Sequence, residues 1–141
     1  MTPFAKERRT AMKYSYTAVI VPDGGKFFAR VPDLPGCVTS GHSVEEAIDM
    51  AQDAASGWLV VAEDEGVAIS PPTPQKDIRH GPDDTLSLIR IDTIKYRAET
   101  DSRAVRKNVS LPAWMARLAD KRGINCSQIL QQGLYPKFSP G

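Results

Sequence analysis

The sequence predicts an α+β chain built as two modules, a sheet-plus-helix domain followed by a small strand-helix-helix unit. Three observations predict it. Residues 13–31 read as two strands around a glycine turn, residues 44–64 carry an apolar stripe at helical period, and residues 105–134 read as one short strand followed by two short helices. A chain of 141 residues, 41% hydrophobic and 25% charged, has room for one ordinary globular domain and a small addition.

Residues 1–12 lack the apolar run of a secretory signal, Met12 offers an alternative start, and the segment is set aside as uninformative. Lys13 to Val21 is rich in tyrosine and β-branched residues, and Pro22-Asp23-Gly24-Gly25 turns it into Lys26 to Val31, so a hairpin is expected. Asp33-Leu34-Pro35-Gly36-Cys37 then forms a rigid turn into a short third strand near Val38 to Ser40. Ser43 and Glu46 have the spacing of a capping box. After them Val44, Ala47, Ile48, Ala51, Ala55, Trp58, Leu59 and Ala62 follow the 3.6-residue period until Gly66. Pro71, Pro72 and Pro74 mark an extended passage, Leu86 to Asp92 alternates as a fourth strand, and residues 93–104 read as a polar linker.

In the second module Val105 to Leu111 alternates, with Val105, Val109 and Leu111 on one face and Arg106, Asn108 and Ser110 on the other; Lys107 interrupts the apolar face. Pro112 stops the strand and suits the start of a helix. Trp114, Met115, Leu118 and Ala119 recur at helical spacing up to Lys121, Arg122 and Gly123. Asn125 and Gln128 then have capping-box spacing, and Ile129, Leu130 and Leu134 stripe a second helix. A unit of about 30 residues cannot bury a core alone. Pairing its strand with that of a second copy makes a two-stranded ribbon flanked by four helices, the outline of a ribbon-helix-helix unit. Such a ribbon fits the DNA major groove, where arginine grips guanine and asparagine grips adenine. Backbone amides near Cys126 and Ser127 can hold a phosphate. Residues 135–141 read as a tail.

Charge is segregated. Residues 93–141 hold nine Lys and Arg against three Asp and Glu, whereas residues 13–92 hold six against thirteen, so a net charge of +1 hides a basic half suited to a polyanion and an acidic half repelled by one. No apolar run reaches membrane-spanning length, and no membrane role is expected. Cys37 and Cys126 lie in different modules without CxxC spacing, which suits a reducing cytoplasm, and both read as small packing residues. His42 and His80 are isolated, Gly24-Gly25-Lys26 lacks the spacing of a phosphate loop, and Trp58 and Trp114 read as core residues. No metal site or cofactor is expected.

The opening hairpin, the phrase VPDLPGCVTSGHSVEEAIDMAQDA, the following ISPPTP and the late AVRKNVSLPAWMARLADKRGINCSQILQQGL together resemble HicB-type antitoxins of the ribbon-helix-helix subclass, over residues 13–134. The resemblance implies a partial RNase H-like fold for residues 13–92, a HicA-type ribonuclease toxin as partner, and a C-terminal module that represses its own promoter. It also implies that Arg106, Asn108 and Ser110 read operator double-stranded DNA, with Lys107, Asn125 and Ser127 beside them. The candidate toxin-binding residues are Asp33, Leu34 and Pro35 in the turn and Glu45, Glu46 and Asp49 on the long helix. Enzymatic activity is not expected: two-metal RNase H chemistry needs a carboxylate inside the first strand, and Lys13 to Val21 has none. Self-association as a dimer or tetramer would match a palindromic operator. The alternative is a ribbon-helix-helix repressor whose N-terminal domain senses a small ligand, without a toxin.

Overall fold

Strand β1 (Lys13–Asp23) pairs antiparallel with β2 (Lys26–Arg30), and the register closes at Asp23 opposite Lys26. That leaves Gly24 and Gly25 as a two-residue turn, both at positive φ as the tight hairpin twist demands. β2 pairs with β3 (Val38–Gly41), and β1 pairs on its other side with β4 (Thr85–Asp92), giving a four-stranded antiparallel sheet in the order β3-β2-β1-β4. This computed structural model describes residues 13–138; the expectation for residues 1–12 lies outside the described residues.

Helix α1 (Val44–Glu65) covers one face of the sheet. Its buried stripe is mostly alanine (Ala47, Ala51, Ala55, Ala62) with Leu59, so the helix axis approaches the sheet closely. Tyr16, Ala18 and Ile20 of β1, Ala29 of β2, and Ile89 and Ile91 of β4 meet it as one core. The approach is tightest at Gly41, where an added Cβ would stand 2.6 Å from the backbone nitrogen of Ala47. The cap is as expected in part: Ser43 Oγ accepts from the Glu46 amide at 3.0 Å, but the Glu46 carboxylate reaches the His42 amide rather than that of Ser43. Gly66 closes the helix in the left-handed conformation.

Thr17 and Val19 point away from α1 by strand alternation, yet both are buried. The guanidinium of Arg30, which pairs with Val19 across the hairpin, donates to the Arg79 carbonyl at 2.8 Å and ties down the passage that buries Ile78. A single 3-10 turn, Gln75–Asp77, shapes that passage.

The chain divides into units at Thr100 and Asp101. Where a linker is expected from residue 93, helix α2 (Thr93–Thr100) follows β4 directly, with Thr93 and Ile94 buried. In the second unit, α3 (Ala113–Lys121) begins after Pro112 and ends at Gly123, and α4 (Cys126–Phe138) begins after Asn125, whose side chain accepts from the Gln128 amide at 3.1 Å. α4 continues four residues into what reads as tail, with Pro136 inside its last turn. Residues 101–112 form neither strand nor helix in the single chain, because a strand needs a neighbour to complete its ladder. Trp114 and Cys126 are exposed, in contrast to the packing roles expected of them: the unit has no interior of its own for either to fill.

Candidate functional site

Two surfaces carry the candidate residues. On the sheet-plus-helix unit the Pro32–Cys37 turn is locked by three backbone bonds, from Val31 to the Cys37 carbonyl, from Leu34 to that of Val31, and from Cys37 to that of Leu34. Leu34 is only 1% exposed, so its side chain plugs the core. The Asp33 carboxylate accepts from the Thr73 amide at 2.8 Å and its hydroxyl at 2.6 Å, pinning the proline-rich passage. Pro35 remains exposed, and its carbonyl accepts the Trp58 indole N–H at 2.9 Å. The turn is therefore a clamp, and of its three candidate residues Pro35 is exposed, Asp33 half-exposed and Leu34 buried.

Helix α1 carries seven carboxylates and no Lys or Arg. Glu45 and Asp49 stand in solvent, Glu46 is also exposed but serves the cap, and Asp53 follows on the same helix. Glu45 and Glu46 lie at the positive end of the helix dipole, where they are favoured, whereas Glu63, Asp64 and Glu65 lie against its negative end. Arg97 of α2 offsets the latter, pairing with Glu63 at 3.0 Å and Asp64 at 2.9 Å. Glu63 also accepts from Tyr14 Oη at 2.7 Å and Thr93 Oγ1 at 2.9 Å. Burial and the hydrogen bond to Glu63 push the Tyr14 phenol well above its usual range. For Arg97, burial pulls down, but its bonds to the two carboxylates outweigh that and hold it above the ordinary value. Sequence periodicity missed this network, since its members lie far apart along the chain and are polar; the three consecutive acids ending a helix were the available signal.

On the second surface Arg106, Lys107, Asn108 and Ser110 are exposed along one stretch that is neither helix nor strand. Asn125 is committed to capping α4, and Ser127 stands exposed on its first turn. Val109, Leu111, Trp114, Met115, Ile129 and Leu134 are exposed in the same unit. Among the described residues, no three His, Cys, Asp or Glu side chains converge as a metal ion requires, and no helix is long and apolar enough to cross a membrane.

A model of the HicB-like antitoxin of bacterial toxin-antitoxin systems matches residues 16–131, spanning both units. The chain belongs to the HicB-like antitoxin family. Among solved structures, a chain of a toxin-antitoxin complex from Streptococcus pneumoniae superposes with a TM-score of 0.54 at 19% identity, covering 89% of this HicB-like chain and 99% of that one, which establishes a shared fold. The Burkholderia pseudomallei antitoxin HicB matches at a TM-score of 0.48 and 22% identity, covering 86% and 93% of the two chains. A chain of a HicA3 and HicB3 toxin-antitoxin complex matches at 0.47 and 23%, over 55% of the HicB-like chain and 98% of its own. No curated protein matches it in sequence.

Proposed function

We propose that the chain neutralises a HicA-type, mRNA-cleaving ribonuclease by binding and occluding it with residues 13–100, and represses its own operon through a ribbon-helix-helix dimer formed by residues 105–134. The observation that carries this reading is the division of charge between the two units. Residues 13–100 hold fourteen Asp and Glu against eight Lys and Arg, and residues 101–141 hold two against seven. An acidic unit attracts a basic RNA-binding enzyme and a basic unit attracts DNA, and joining them places both partners on one molecule.

The first unit is read as a partial RNase H-like fold without catalytic power, since β1 carries no carboxylate among its core-facing residues Tyr14, Tyr16, Ala18 and Ile20. In the second, a second copy supplies the ladder that residues 105–111 lack and covers the apolar side chains of α3 and α4, leaving Arg106, Asn108 and Ser110 outward for base edges, with Lys107 and the α4 amides near Ser127 toward phosphates. The protein is read as non-enzymatic, cytoplasmic and free of cofactors.

Arg106→Ala tests the assignment. Operator affinity should fall by about five- to 150-fold, equivalent to the ~1–3 kcal/mol of a lost bidentate base contact, while inhibition of the ribonuclease is unchanged. Unaltered operator binding in a gel-shift titration would remove residues 105–111 from the DNA interface.

A further inference from the structure

Beside the clamp turn, one wall of α1 faces a groove of about 550 Å³. Asp53, Gly57, Trp58, Val61 and Glu65 line it from the helix at successive turns, and Val38, Val67 and Tyr96 line it from outside the helix. Three aliphatic side chains of this groove stand unusually far into solvent: Val38 is 68% exposed, Val61 53% and Val67 50%. Apolar groups gathered in one concavity mark a contact surface more often than scattered ones do. Gly57 lies on the groove wall, where an added Cβ would meet the Tyr96 hydroxyl oxygen at 3.4 Å, an ordinary contact. The walls are preformed, because the Trp58 indole is already bonded to the Pro35 carbonyl.

Charge selects the occupant. Asp53 and Glu65 stand at the two ends of the groove, twelve residues apart on one helix and hence about 18 Å from each other. Glu65 lies at the unfavourable end of the helix dipole and, among the described residues, makes no ion pair, unlike its neighbours Glu63 and Asp64. The same groove on a second copy would bring the same acidic helix and be repelled, so a face-to-face self-contact is disfavoured. We infer that the groove seats a basic segment of the ribonuclease toxin, one that places an apolar side chain over Trp58 and Val61 and a Lys or Arg toward Asp53 and Glu65. This inference rests on the antitoxin reading and moves the centre of docking from the clamp turn and the first turns of α1 to its C-terminal half.

The test uses the full chain and, as probe, a catalytically inactive HicA-type ribonuclease from the same source. Val61→Arg places a cation and bulk in the groove; Leu88→Arg makes the same chemical change at a side chain 59% exposed on the opposite face of the sheet. Both positions are solvent-facing, so both variants should keep the parent circular dichroism and melting curve. By calorimetry the parent should bind the probe, Val61→Arg should bind about thirtyfold more weakly or worse, as for the loss of an interface hot spot, and Leu88→Arg within about twofold of the parent. Glu65→Lys should weaken binding in the same direction. Tight binding by Val61→Arg, or an equal loss in Leu88→Arg, overturns the groove while leaving the antitoxin reading intact. A parent that binds no such probe overturns both. A change in the chain's own oligomeric mass on Val61→Arg, with probe affinity unchanged, would make the groove a self-contact and overturn it as well.

Discussion

At the residue scale, the two tyrosines of β1 show how polar tips are accommodated beneath a helix. Their rings lie stacked with centroids 6.4 Å apart, and each hydroxyl donates to a different part of the chain, Tyr14 to Glu63 and Tyr16 to the Ser70 carbonyl at 2.5 Å. Burial, aided by the negative charge of Asp33, pushes the Tyr16 phenol up to about 12 from its ordinary 10.0. The folded chain therefore keeps a proton that the unfolded chain gives up between those values. The stabilisation is fully present below the unfolded pKa and is lost as pH rises toward the folded one. Tyr14 titrates in the same sense, so the folded state should weaken steeply in alkali. Tyr16→Phe should cost about 1 kcal/mol at neutral pH through loss of the bond to Ser70, and should shallow the alkaline decline because one of the two phenols is gone. Urea midpoints of parent and variant, compared between about pH 9 and about pH 12, check both effects; parallel pH curves would remove Tyr16 from the linkage.

At the scale of elements, α2 is the piece that local sequence rules mistake. Its residues Thr93 to Thr100 are mostly polar, and eight residues are too few for an isolated helix to persist. It is held by Ile94 in the interior and by Arg97 reaching across to Glu63, Asp64 and the Val60 carbonyl. Arg97→Ala should therefore leave Glu63, whose side chain is only 12% exposed, without its cation and cost on the order of 2 kcal/mol. The readout is hydrogen exchange: amides of α2 should lose protection before those of β1, and uniform loss across both would mean that α2 is not a separable latch. The hairpin, α1 and the caps at Ser43 and Asn125 were legible beforehand because each depends on neighbours within a few residues. Whatever depends on distant partners was not. Leu34 looks available in a turn until the fold buries it, nothing near Asp33 in sequence announces its bonds to Thr73, and Val105 to Leu111 alternates like a strand whose ladder the single chain does not contain. Of the candidate site, the acidic helix and the basic stretch could be read; the groove could not, because Val38, Val61 and Tyr96 come from three separate elements.

At the scale of the whole molecule, the opposed charges of the two units set different dependences on salt for the two proposed activities. The proposed DNA binding by residues 101–141 would gain from release of counterions for every phosphate contacted, and a dimer would double the cations available, among them Arg106 and Lys107. Operator affinity should thus fall by about a hundredfold or more between about 50 and about 200 mM salt. On the proposed reading, toxin binding to residues 13–100 would rest on apolar burial, with charge acting mainly on the encounter rate, so its affinity over the same range should change by less than about tenfold. A chain ending at Thr100 keeps the sheet, α1, α2 and the entire buried core, and should inhibit the ribonuclease with the salt response of the full protein while retaining no operator binding. Titrations of both chains against both partners across that salt range check the division. If the truncated chain failed to inhibit the enzyme although its circular dichroism was native, the second unit would have to take part in toxin capture; if operator affinity of the full chain were flat with salt, the basic charge of residues 101–141 would serve something other than DNA.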